Sequence, residues 1–189
     1  MTLANKMTLS RIIFSPAFLL IFFLSQTHSA ILLTVLLWIV FIIIELSDLF
    51  DGWVARKRNE VTDLGKLLDP FGDSVSRLTY FLAFLIAGYM PLWIFVLVLY
   101  RDLLVSFIRL LVAKRGVAMA ARISGKVKAW IYAAAGIAGL VLHTVDQLHL
   151  GESFGWVGPV VFWIFVVTGF TAVWTMVDYS SVLRTIQEN

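Results

Sequence analysis

The chain has 189 residues, of which 60% are hydrophobic and 14% charged, with a formal net charge of +3. A mean hydropathy of +0.91, with far fewer charges than the roughly 25% of ordinary soluble domains, excludes a soluble globule and points to an integral membrane protein. The absence of cysteine excludes a disulfide framework and thiolate chemistry, and no nucleic-acid partner is expected.

A chain of this length reads as one domain, residues 1–189. Lys6 and Arg11 precede an apolar run over residues 12–24, which imitates a secretory leader. The next apolar run follows at once, so the segment reads as a retained first helix. Six membrane spans are expected, near residues 9–24, 30–46, 75–88, 92–113, 127–142 and 154–177, each judged against the ~20 apolar residues that cross a bilayer. The second is expected to continue as helix through the aspartates that follow, and the third, short for a span, can begin earlier, near Asp69. "GYMP" at residues 88–91 reads as a tight turn, with Gly88 closing one helix and Pro91 opening the next. The fold class is therefore all-α, an integral membrane bundle of six transmembrane helices.

The charges set its orientation. All 15 Lys and Arg fall in the N-terminal segment, between Arg56 and Arg77, between Arg101 and Lys128, or at Arg184. The turns near His28, near Tyr89 and from His143 to Gly155 contain none. By the positive-inside rule the basic segments and both termini are cytoplasmic, in a cytoplasmic (inner) membrane. His28, His143 and His149 then lie on the outer side and receive no site.

The stretch "DLFDGWVARKRNEVTDLGKLLDPFGD", Asp48 to Asp73, holds five aspartates beside these apolar runs. Asp48, Asp51, Gly52, Ala55 and Arg56 follow i, i+3, i+4, i+7 and i+8 spacing, one face of a helix. Asp69 and Asp73 share a face of the next helix. Four carboxylates aimed at one point repel unless cations intervene, and hard divalent cations take oxygen ligands. Gly52 and Ala55 leave room on the same face for a ligand or a close helix, and Arg56 can meet a phosphate. Ionisable groups at such depth are functional candidates. Spacing alone leaves catalysis and cation transport both open.

The pattern Asp48-x2-Asp51-Gly52-x2-Ala55-Arg56-x8-Gly65-x3-Asp69-x3-Asp73 resembles the signature of the CDP-alcohol phosphotransferases at every fixed position. That resemblance implies displacement of CMP from a CDP-linked lipid by an alcohol hydroxyl. It implies two divalent cations, Mg²⁺ or Mn²⁺, with Asp48 and Asp69 touching both, Asp51 completing one site and Asp73 the other. It makes Asp73 the general base, assigns Gly52, Ala55, Arg56, Thr62 and Gly65 to the CDP pocket, and carries the expectation of a homodimer. CDP-diacylglycerol would keep its tails in the bilayer among the membrane lipids and its head at the cytoplasmic edge.

A second stretch, Tyr100 to Trp130, bears on the acceptor. Arg101 and Arg109 lie eight residues apart in an apolar helix, and Arg122, Lys126 and Lys128 follow across a loop. This concentration of cations suggests an anionic acceptor, glycerol 3-phosphate. The order of an Arg-acid pair, a second Arg, a glycine loop and "GKVK" resembles the phosphatidylglycerophosphate synthases of that family, with Asp102 where those enzymes usually carry Glu. Another acceptor (inositol phosphate, inositol or serine) is the alternative within the family. Glu45 and Asp178 are candidates for pairing with a cation inside the bundle.

Overall fold

The computed structural model describes the backbone of residues 3–28, 31–58, 63–114 and 123–187, and the side chains of residues 9–28, 31–47, 70–112 and 123–181. Among these residues the chain is wholly helical: α1 (Leu3–Thr27), α2 (Ile31–Arg58), α3 (Asp63–Ile86), α4 (Leu92–Lys114), α5 (Ile123–Gln147), the short α6 (Gly151–Phe154) and α7 (Val157–Gln187). Among the described residues, three segments are long and apolar enough to cross a membrane: Leu9–Thr27, Ile123–Gln147 and Val157–Ser181. The apolar part of α2, Ile31–Ser47, is shorter. Arg101, Asp102 and Arg109 break the apolar run of α4 while the helix itself continues to Lys114. α2 runs unbroken through Asp48 and Asp51, as its sequence suggests.

Three boundaries differ from expectation. α3 holds Asp69 and Asp73 on one helix, as their spacing predicts, but begins at Asp63, earlier still than the start near Asp69. The last apolar run splits into α6 and α7. α5 continues to Gln147, so His143 lies inside a helix rather than in a turn. Its buried ring packs 4.5 Å from that of Phe22 and shares a 2.9 Å hydrogen bond with Ser25. Those contacts repay the helix for carrying a polar group inward. Nearby, burial and the Asp146 carboxylate push the Tyr89 phenol above its usual range, so it stays protonated.

Helices α1, α2 and α3 form one packed group, and α4, α5 and α7 form another. The turn between α3 and α4 joins them. Gly88 adopts φ 78°, a left-handed conformation that glycine takes without a Cβ penalty. The amides of Tyr89 and Met90 return to the Phe84 carbonyl at 2.9 and 3.1 Å, closing α3 before Pro91 starts the next helix.

In a bilayer, lipid tails are as apolar as leucine, so close packing rather than hydrophobicity has to hold helices together. The two groups meet through aromatic rings. Phe81 of α3 stands edge-on to Tyr132 of α5 at 5.6 Å, and Tyr80 meets Phe41 at 5.5 Å within the first group, while Phe84 of α3 lies 6.1 Å from Phe165 of α7. Gly139 permits that approach, because a Cβ there would overlap the Phe84 ring. The hydroxyls of Thr168, Thr171 and Thr175 donate to the carbonyls four residues back, at 2.8–2.9 Å, so α7 carries them without unmet polar groups. Leu92, Trp93, Trp163, Phe170 and Val177 point outward, the dress of a lipid-facing surface.

Candidate active site

A cavity of about 240 Å³ opens where the two helix groups meet. From α3 come Pro70, Asp73, Ser74 and Arg77; from α4, Arg101, Val105, Ser106 and Arg109. α5 contributes Gly125, Lys126, Lys128 and Ala129, and α7 contributes Tyr179. Carboxylate and cations thus face one space from different helices.

Asp73 is the described member of the aspartate set. Its side chain is 27% exposed and forms an ion pair with Arg11 of α1. Arg77, one helical turn further along α3, lies 4.0 Å from its other oxygen. Arg11 ties Asp73 to α1, and the two arginines together fix its orientation. A small recess beside it is lined by Glu45 and Ser76 as well. Glu45 accepts a 3.4 Å hydrogen bond from Tyr80.

The opposite wall is cationic and ordered. Arg101 donates to Asp102 Oδ1 at 2.8 Å and to Thr175 Oγ1 at 2.9 Å. Lys128 donates to the same Asp102 oxygen at 2.7 Å. Arg101, Asp102 and Lys128 are all at least nine-tenths buried. Two cations on one carboxylate leave an excess positive charge, and Asp102 Oδ2 has no hydrogen-bond partner among the described residues. Arg109 donates to the Tyr179 hydroxyl at 3.1 Å. Lys126 lines the cavity from an exposed position. Below them, Ser124 donates to Asp178, the partner that α7 offers α5 here.

Of the residues singled out in the sequence, Asp73, Arg101, Arg109, Lys126 and Lys128 share this cavity. Asp48, Asp51, Gly52, Ala55 and Arg56 fall within α2, and Gly65 and Asp69 within α3, but their side chains lie outside the described residues. Thr62 and Arg122 lie outside them altogether. Sequence reasoning passed over Arg11, Arg77 and Tyr179. The signal for the arginines was there: each is a lone cation beside or within an apolar run, which demands a partner. Tyr179 gave no such sign.

A family model described as CDP-alcohol phosphatidyltransferase matches residues 1–175. The chain is 35% identical over 148 residues to a probable phosphatidylglycerophosphate synthase from Mycobacterium tuberculosis, covering 78% of this chain and 69% of that protein. It is 33% identical over 151 residues to the CDP-diacylglycerol–glycerol-3-phosphate 3-phosphatidyltransferase of Bacillus subtilis, covering 76% and 78%. A protein of the same name from Treponema pallidum is 31% identical over 112 residues, 59% of this chain and 52% of that one. The chain belongs to the CDP-alcohol phosphatidyltransferase family. It is accordingly a transferase, which sets aside cation transport.

Proposed function

We propose that the chain transfers the phosphatidyl group of CDP-diacylglycerol to glycerol 3-phosphate, giving phosphatidylglycerol phosphate and CMP. Relatives across most of the chain carry the name of that reaction. The observation that carries the acceptor is the cavity wall: Arg101, Arg109, Lys126 and Lys128 around a space that Asp73 also borders. A phosphate monoester brings about −1.5 to −2 charges near neutral pH. Arginine grips such a group bidentately and lysine supplies a compact charge.

The donor set of Asp48, Asp51, Asp69 and Asp73 is all carboxylate oxygen, which suits hard divalent cations rather than zinc. Asp73 stands at the cavity edge and so fits a place beside the reacting groups. When bound, two Mg²⁺ or Mn²⁺ ions neutralise the diphosphate and the departing CMP. Asp73 accepts the proton of the attacking hydroxyl, and the arginines and lysines hold the acceptor phosphate so that its hydroxyl faces Asp73. Phosphoryl transfer needs such positioning and charge neutralisation more than covalent help. Gly52, Ala55, Arg56, Thr62 and Gly65 form the CDP pocket in this reading, and Arg122 joins the acceptor wall.

The same reading has six membrane spans, both termini and the active site on the cytoplasmic side of the inner membrane, one domain over residues 1–189, and a homodimer. The distribution of Lys and Arg supports the orientation. The decisive experiment is CMP release by purified protein with CDP-diacylglycerol and a panel of acceptors. Glycerol 3-phosphate should serve, and serine and free inositol should not. Turnover with serine or inositol and none with glycerol 3-phosphate would end the reading.

A further inference from the structure

Tyr179 lies four residues beyond the stretch that the family model matches, which ends at residue 175. Its ring is fully buried at the wall of the cavity. The guanidinium carbons of Arg101 and Arg109 each lie 5.6 Å from the centre of that one ring, inside the roughly 6 Å range of cation–π attraction. Its hydroxyl also accepts the 3.1 Å hydrogen bond from Arg109. One turn earlier on α7, Thr175 accepts from Arg101. Two like charges that would otherwise spread apart are thus held to a single helix face.

A second observation meets the first from the other side. A Cβ built at Gly125 of α5 would stand 3.0 Å from the Tyr179 hydroxyl, tighter than side chains normally pack. Position 125, itself a cavity residue, leaves the phenol the space in which it receives Arg109.

The geometry points to Tyr179 as a positioning residue that sets the separation of Arg101 and Arg109, and thereby the size of the anionic acceptor the cavity takes. This rests on the acceptor reading above. Each guanidinium carries five N–H donors. Among the described residues Arg101 spends two on Thr175 and Asp102, and Arg109 spends one on Tyr179. The remaining donors are available to a phosphate only if the two groups keep their spacing. The phenol ring supplies a rigid spacer, and its hydroxyl fixes the tilt of Arg109.

The test is steady-state CMP release by the purified full chain and by Tyr179→Phe, Tyr179→Leu and Gly125→Ala. Tyr179→Phe keeps the ring and loses the hydroxyl, and should raise KM for glycerol 3-phosphate about tenfold, as for a lost hydrogen bond to a charged group. Tyr179→Leu loses both and should raise it further, so Phe partly rescues Leu. It should also shift preference from glycerol 3-phosphate toward the larger inositol phosphate. Gly125→Ala should move KM in the same direction without altering any charged group. KM for CDP-diacylglycerol should hold throughout, which a merely structural role would not achieve. If Leu does not purify folded, Phe and Gly125→Ala still decide. Flat KM values in the variants, or equal rises for both substrates, overturn the proposal while leaving the acceptor reading intact. Wild-type protein that ignores glycerol 3-phosphate overturns that reading, and this proposal with it.

Discussion

Lys128 on α5 and Asp102 on α4 meet across 2.7 Å at a depth where neither side chain reaches solvent appreciably. Arg101 binds the same carboxylate oxygen, so one buried anion organises two of the four cations of the wall. Removing one partner from a buried ion pair costs about 3–5 kcal/mol, because the other charge stays behind unsatisfied. Asp102→Ala strands two cations. It should lower stability by at least that amount, read as the unfolding midpoint of the purified protein in detergent. Asp102→Glu should recover most of it. An Asp102→Ala protein as stable as wild type would show that the triad is not what holds α4 to α5.

Asp73→Asn keeps the shape and the hydrogen-bonding reach of the side chain but removes its basicity. Turnover should fall about 100- to 10,000-fold, the usual worth of a general base. CDP-diacylglycerol should still bind, since in the proposed reading three other aspartates hold metal. A near-wild-type rate at saturating metal rules the assignment out.

Arg109 faces the cavity with its position fixed by Tyr179. Arg109→Ala should raise KM for glycerol 3-phosphate by roughly ten- to a hundredfold, the range for losing hydrogen bonds to a charged group. KM for CDP-diacylglycerol should change little. Equal changes in both would instead assign Arg109 to holding α4 against α7.

Chelation offers an independent check on the carboxylate set. EDTA should abolish CMP release, and Mg²⁺ or Mn²⁺ should restore it, while Zn²⁺ should not match them at an all-oxygen site. Full activity after exhaustive chelation would contradict the two-metal reading.

Gly139 tests the packing rather than the chemistry. Valine there must displace the Phe84 ring, and overpacking of this kind costs about 1–3 kcal/mol. The thermal midpoint should drop. KM for glycerol 3-phosphate in the remaining folded protein should hold, because position 139 lies about 15 Å along α5 from Ala129.

Much of this was legible in the sequence because periodicity and charge speak loudly in an apolar chain. Gly88 and Pro91 marked their turn, and Asp48-x2-Asp51 announced a helix that runs on past its apolar stretch. Arg101 and Arg109 stood out because a cation in an apolar helix needs a reason. The spacing of Asp69 and Asp73 placed both on a helix, but the polar residues ahead of Asp69 resemble a loop by composition and hid a start as early as Asp63. His143 was misplaced because a histidine near the end of an apolar run looks like the beginning of a turn. Only its three-dimensional partners, Ser25 and Phe22, explain its burial. Tyr179 was invisible for a related reason. An aromatic residue in an apolar helix is ordinary, and its meaning depends on two arginines about 70 residues away that the sequence does not connect to it.

The division of the bundle at Gly88 has an evolutionary reading. Every residue of the aspartate signature precedes that turn, and Arg101, Arg109, Lys126 and Lys128 follow it, on α4 and α5, with Arg77 the cavity cation ahead of it. In the proposed reading, lipid-donor chemistry and choice of acceptor are therefore written in consecutive halves of the chain, which meet at the cavity and through the rings of Phe81 and Phe84. A lineage can exchange or drift in the second half and acquire a new headgroup while inheriting its donor half unaltered. A chimera spliced at the Gly88 turn should behave as such a lineage does, taking its acceptor from whichever parent supplied the later helices.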